Sequence, residues 1–361
     1  MGIIAVARLR EMEKKAVEKK RTRAKRATSY DVARLAGVSQ TTVSFVINGM
    51  IAGISEETQA RVRDAIAELN FHPHAAARNL ARRASHTLGF VIPEAGNPHY
   101  YEMIQGAKAY AQQHGYNLNI RITDFQVEEE RAALHMLTHQ LVDALIFIVW
   151  SGNALHSEIH KVLQQDYPIV NITFYDELDT VLMKQASGER QVIEHLAGLG
   201  HRRIGYIYGV ANPQMSMRLD TCLKTQQEMG IPVDERWISR CGPTLEDGYR
   251  ACQELLARCV GEERPTALVV VNDLLAHSVY RALHVANIAI PQDISVISFD
   301  NTPISAYMTP PLTTVDGEFR RQGELAARLA IERIADPKRP LQHLETHVQL
   351  IVRASTGPAP V

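Results

Sequence analysis

The chain has 361 residues, 45% of them apolar and 22% charged, with a net charge of −1. That length allows two or three domains with a sizeable core. No run of about 18 apolar residues occurs, which excludes a helical membrane span within it, and no apolar stretch follows the N-terminal basic residues, so no secretory leader is expected.

The charge is uneven. Residues 1–86 hold 16 Lys and Arg against 8 Asp and Glu, while the remainder holds 23 against 32. A basic head on an acidic body implies that only the head meets a polyanion. Residues 1–27 carry ten basic and three acidic residues. They are expected to form a solvated, disordered basic arm that adds phosphate contacts, or a start-site extension without a role.

Thr28 to Asn48, TSYDVARLAGVSQTTVSFVIN, predicts two short amphipathic helices. Val32, Leu35 and Ala36 give the first an apolar face. Gly37 permits a left-handed turn, and Ser39 stands where a helix N-cap is needed. Val43, Val46 and Ile47 form the buried face of the second helix. Gln40, Thr41, Ser44 and Phe45 then point outward, as side chains that read base edges in a major groove must. A third helix starts at Ser55-Glu-Glu-Thr58, with Val62, Ile66 and Leu69 facing the core and Asn70 ending it. Together these make a helix-turn-helix head over residues 28–73.

Residues 74–86 read as a hinge. Ala75 to Ala81 favour helix, yet one or two turns do not nucleate alone in water. Docked on DNA, Leu80 becomes a candidate minor-groove wedge, and Arg78, Arg82 and Arg83 become candidate phosphate or groove contacts. From Thr87 onward, apolar runs at 87–93, 116–122, 144–149, 168–173, 203–208, 266–272 and 294–299 alternate with helical stretches. That pattern predicts an α/β body of two parallel-sheet, Rossmann-like lobes covered on both faces. Ligands of such sheets bind at the carboxyl ends of the strands. The polar residues there are Glu94–Tyr101, Trp150–Asn153, Thr173–Glu177, Gly209–Arg218, Asn272–Asp273 and Asp300–Thr302. Asp273 is also a candidate cap for a helix beginning at Leu274.

Other chemistry is excluded. The four cysteines, Cys222, Cys241, Cys252 and Cys259, lack ligand or CxxC spacing and read as buried reduced thiols of a cytoplasmic protein. None of the 15 histidines has a metal-site or triad neighbourhood, and no GxSxG, GxxxxGK[ST], HExxH or GxGxxG occurs. No enzyme, cofactor or metal site is expected.

The motifs DVARLAGVSQTTVS, SEETQARVRDAIAELNFHP, AAARNLA, GNPHYYEMIQGAKAYAQQHGY, GHRRIGYI, VVVNDLLA, IPQDISVISFDNTPIS and TPPLTTV occur in this order. In them the chain resembles the LacI/GalR family of bacterial transcription regulators, from about Thr28 to Ser355. The resemblance implies a homodimeric repressor on a pseudo-palindromic, double-stranded operator. Hinge helices enter the minor groove, and a body like a periplasmic sugar-binding protein senses a small molecule. It places the N-lobe at about 87–183 and 316–345 and the C-lobe at about 184–315 and 346–361.

On that pattern the DNA contacts fall at Ser39, Gln40, Thr41, Thr42, Ser44, Phe45, Asn48, Arg78, Asn79, Leu80 and Arg82. The effector contacts fall at Asn97, His99, Tyr100, Trp150, Thr173, Phe174, Arg218, Asn272, Asp273 and Asp300. The chemistry suits a sugar or a derivative. The alternatives are control by a nucleobase or a protein corepressor, or a sugar-binding protein with no regulatory role. The short Pro-rich end after Ser355 favours a dimer over a tetramer, and the expected location is cytoplasmic, on the nucleoid.

The chain departs from the family in four places. Phe45 stands where Arg is usual, Thr221-Cys222 replace Gly-aromatic, Thr173 replaces an Asp, and Lys184-Gln185 replace Asp-Asn. These changes predict a cleft that lacks hydroxyl-binding carboxylates and has a new cation lining or flanking it.

Overall fold

The computed structural model describes residues 27–47, 49–71, 84–139, 141–149, 152–173, 175–209 and 213–360. Asn48, the hinge residues Arg78, Asn79, Leu80 and Arg82, and the cleft candidates Trp150 and Phe174 lie outside them. So does the N-terminal arm up to residue 26. The described chain forms two compact units that divide between Arg83 and Ala84.

The first unit is a three-helix head: α1 (Ser29–Ala36), α2 (Gln40–Ile47) and α3 (Glu56–Glu68). Thr28 and Asp31 form a reciprocal capping box at the start of α1, which satisfies two amide donors that a helix start leaves unpaired. Gly37 ends that helix at φ 67°, the left-handed region, where a Cβ would be strained. Ser55 caps α3. Val32, Ala33, Ala36, Val43, Val62, Ala65 and Phe71 make the core. Leu35 does not join it and is 45% exposed. At 100° per residue it lies roughly 100° round the helix from the face that Val32, Ala33 and Ala36 define.

The second unit has two six-stranded sheets. The N-lobe holds β1 (Thr87–Ile92), α4 (Pro98–Gln113), β2 (Asn117–Ile122), α5 (Val127–Thr138), β3 (Ala144–Phe147), α6 (His156–Leu163), β4 (Ile169–Asn171) and β5 (Asp179–Met183). The C-lobe follows with α7 (Gln185–Gly198), β6 (Ile204–Gly209), α8 (Pro213–Glu228), β7 (Ile238–Cys241), α9 (Leu245–Arg258), β8 (Ala267–Val270), α10 (Asp273–Val285), β9 (Ser295–Phe299) and β10 (Thr313–Asp316). The chain then returns to the N-lobe for α11 (Phe319–Ala335) and β11 (His343–Thr346), and crosses back for β12 (Gln349–Ile351).

The strand orders are β11-β5-β4-β3-β1-β2 and β12-β10-β9-β8-β6-β7. All neighbours are parallel except β10 and β12, which run antiparallel. The central strands β3, β8 and β9 are buried along their whole length, as continuous apolar runs under helices on both faces should be. The strands absent from the sequence-based prediction are β5, β7, β10, β11 and β12. They are short and rich in Thr, Asp, Ser and Gln, and three of them are edge strands.

Three crossings join the lobes, after β5, after β10 and after β11, and they are laced together. Thr346 Oγ1 donates to the Gly317 carbonyl at 3.2 Å, and the His347 amide donates to Glu318 Oε2 at 2.9 Å. The Lys184 amide donates to the Thr346 carbonyl at 3.4 Å. All four cysteines are buried and unbridged. No described helix is long and apolar enough to cross a membrane.

Candidate functional site

In the head, the turn at Gly37 delivers Ser39 to the start of α2. The Thr42 amide donates to Ser39 Oγ at 3.0 Å, and the two hydroxyls are 2.9 Å apart. Ser39 thereby caps α2, as its place in the sequence predicts, with Thr42 as its partner. Gln40, Thr41 and Ser44 are exposed, and Phe45 is 41% exposed. Val43 anchors the opposite side of the helix with no exposure. The outward face is therefore short hydrogen-bonding side chains beside one benzyl ring.

In the body, the carboxyl end of β9 carries a tight turn. Asp300 has φ 114° and Asn301 has φ 49°, both unusual for side chains with a Cβ. The Asp300 amide donates to the Val315 carbonyl at 2.9 Å, and Arg353 holds Asn301 Oδ1 at 2.7 Å. The turn aims Asp300 across the lobes, so that its Oδ2 lies 3.3 Å from Nδ1 of His99 on α4. That is ion-pair distance with poor alignment for a hydrogen bond. The His99 ring meets Tyr100 at 3.9 Å and Phe319 at 4.8 Å, tilted by 46° and 31°. Glu94, after β1, is half-buried, and burial raises its carboxyl pKa against the opposing effect of His99.

Arg218 and Asp300 line one cavity, together with Glu189, Phe299, Val315 and Phe319. Arg218 donates from Nε to Glu189 Oε1 at 3.1 Å and from Nη1 to the Val271 carbonyl at 2.8 Å. Its guanidinium carbon lies 4.3 Å from the centre of the Phe299 ring. Thr173 follows β4, and its hydroxyl accepts from Asn171 Nδ2.

Four of the effector candidates have partners within the body itself. Asn97 is buried and caps α4, its Oδ1 accepting from the His99 amide at 3.3 Å. Tyr100 belongs to the N-lobe core beneath His99, and burial drives its hydroxyl pKa well up. Asn272, not Asp273, caps α10, through the Leu275 amide at 2.8 Å. Asp273 is fully buried, with its carboxylate held by Ser298 Oγ, Thr314 Oγ1 and both the amide and hydroxyl of Thr302. Those four donors from its own lobe pin the Asp300 turn to α10.

Lys184 is exposed, at the first crossing. A carboxylate that the sequence did not single out, Glu189, lines the cavity. It lies in the second turn of α7, and its partner Arg218 is 29 positions away.

Burial first, and the Asp300 charge second, push Asp273 from 3.8 up to about 6. A carboxyl with a raised folded-state pKa favours folding while protonated, and that contribution is lost as pH rises through the folded value. Wild type should therefore lose stability relative to Asp273→Asn between about pH 4 and pH 6. Thermal midpoints of the two proteins across that range check this; a constant difference refutes it.

Residues 28–74 match the family model described as "Bacterial regulatory proteins, lacI family". Residues 193–356 match "Periplasmic binding protein-like domain". The chain is 32% identical to the HTH-type transcriptional repressor PurR of Photobacterium profundum, over 91% of this chain and 98% of that protein. It is also 32% identical to the ribose operon repressor of Escherichia coli, over 91% of this chain and 99% of that protein. Among solved structures, the lac repressor dimer bound to operator and the anti-inducer ONPF is similar at a TM-score of 0.80 and 26% identity, covering 92% of this chain and all of that one.

Proposed function

The chain belongs to the lacI family of bacterial regulatory proteins, and from that premise we propose how its head and its body act. It is a DNA-binding transcriptional repressor with a small-molecule effector, not an enzyme. Our reading is that it acts as a cytoplasmic homodimer on a pseudo-palindromic operator. Residues 28–73 form the head, 74–86 the hinge and 87–361 the sensing body. Gln40, Thr41, Ser44 and Phe45 meet base edges, while Arg78, Arg82 and Leu80 act from the hinge in the minor groove. His99, Arg218 and Asp300 meet the effector between the lobes.

The observation that carries this reading is the capped start of α2, which leaves those four side chains exposed on one helix. An effector that prefers one arrangement of the lobes then shifts operator affinity by the difference in its affinity for the two arrangements. Two linked heads make that affinity sensitive to how far apart the bodies hold them.

Site selection from random duplexes, using the full chain, tests the proposal. It should return a two-fold symmetric site. Phe45 cannot form the bidentate guanine contact open to Arg, and offers a thymine methyl an apolar surface instead. Phe45→Arg should therefore move the preference at one base pair of each half-site towards guanine, by roughly five- to 150-fold for a bond worth about 1–3 kcal/mol. An unchanged preference would remove Phe45 from the reading face, and recovery of no symmetric site would overturn the proposal.

A further inference from the structure

We propose that Asp143 is a positioning residue for operator binding: it fixes the direction in which the chain leaves the body for the hinge. This rests on the reading of residues 74–86 as a hinge that carries two heads to the halves of one operator.

The body begins at Ala84, three residues before β1 opens at Thr87. Residues 84–86 belong to no helix or strand, yet one half-buried side chain 57 and 58 positions away holds them. Asp143 Oδ1 accepts from the Ser85 amide at 2.6 Å and from the Ser85 hydroxyl at 2.8 Å. Its Oδ2 accepts from the His86 amide at 2.7 Å. Bonds to an ionised acceptor are about twice as strong as neutral ones. Successive amides converge on one anion where the backbone leaves the extended form. His86 does so at φ 49°, in the left-handed region that a residue with a Cβ enters at a cost.

The anchor is itself braced. The Asp143 amide donates to the Thr87 carbonyl at 2.8 Å, and the Asn117 amide donates to the His86 carbonyl at 2.8 Å. Asp143 directly precedes β3 and Asn117 opens β2, the two neighbours of β1 in the sheet. The exit is thus tied to three strands of the N-lobe, and a shift of that lobe is passed to it without slack. Linked heads gain affinity only when their spacing matches the site, so a fixed exit serves the specific site and not DNA in general.

Asp143→Asn keeps the size of the side chain and replaces one acceptor oxygen with an amide group, which meets an N–H with another donor. Fluorescence anisotropy of the full-length protein tests the proposal. One probe is the symmetric duplex that site selection returns for the wild type, and the other is an unrelated duplex. Asp143→Asn should bind the selected duplex roughly tenfold or more weakly, as linked heads do when their spacing is no longer fixed. It should bind the unrelated duplex as the wild type does, because the charge of the head sets that affinity. Two base pairs inserted between the half-sites should cost Asp143→Asn less affinity than they cost the wild type. Ser85→Thr, which keeps the hydroxyl, should behave as the wild type.

Equal weakening on both duplexes would overturn the proposal and leave Asp143 a residue of folding alone. An equal penalty for the insertion in both proteins would overturn it as well. Ser85→Ala removes one of the three donors and keeps the carboxylate. It carries the same test at smaller amplitude if Asp143→Asn does not fold. Recovery of no symmetric site with the wild type would overturn the reading of heads and hinge, and this proposal with it.

Discussion

Asp179→Asn should lower the thermal midpoint of the body by roughly 10 °C, the largest loss expected from any single polar substitution in it. Asp179 is 1% exposed at the start of β5. It accepts from Nε and Nη2 of Arg333 at 2.9 and 3.1 Å, and from Nη1 and Nη2 of Arg339 at 3.0 and 2.9 Å. The Gln342 amide adds a fifth donor at 2.9 Å. Two paired forks on one carboxylate tie the C-terminal end of α11 to the sheet and seat β11 beside β5. Neutralising that carboxylate leaves two largely buried guanidinium groups without their anion, at about 3–5 kcal/mol. Differential scanning calorimetry checks it; a loss below about 1 kcal/mol would show that the clamp is relaxed or solvated in solution.

The second large effect comes from two glycines. A Cβ on Gly106 of α4 would lie 1.8 Å from the Arg320 carbonyl oxygen, and one on Gly323 of α11 would lie 1.8 Å from that of Met103. Both obstacles are backbone, so the helices themselves must separate. Each alanine should cost about 3 kcal/mol, the upper part of the usual range for overpacking. The same helices carry His99 and Phe319 at their N-terminal ends, 4.8 Å apart as rings. Loss of effector response should therefore accompany loss of stability. Gly198→Ala is the control, because a Cβ there meets nothing within 4 Å. It should be neutral or stabilising by about 0.5–1 kcal/mol. Urea unfolding of the three variants separates these outcomes; a Gly323→Ala protein as stable as wild type would refute the close contact.

The same particulars show what was legible in the sequence. The α/β body was legible because the inner strands, such as ALVV at β8, are continuous apolar runs of a kind that only a sheet covered on both faces produces. DTVLM at β5 and HLET at β11 were not, because their place depends on the Asp179 clamp, which joins positions 154 to 163 residues apart. The turn of the head was legible because Gly37 and Ser39 act on their immediate neighbours. Asn97 and Asn272 each stood directly before a helix, so their capping roles were open to a local reading. The roles of Asp273 and Glu189 lay beyond any local rule, since their partners come from Ser298, Thr302 and Thr314 and from Arg218.

The laced crossings between the lobes have a consequence for evolution. Three segments of chain bound to one another must change together when the lobes move, because Thr346 and His347 touch both other crossings. Side chains elsewhere in the body can be exchanged in evolution without disturbing those bonds.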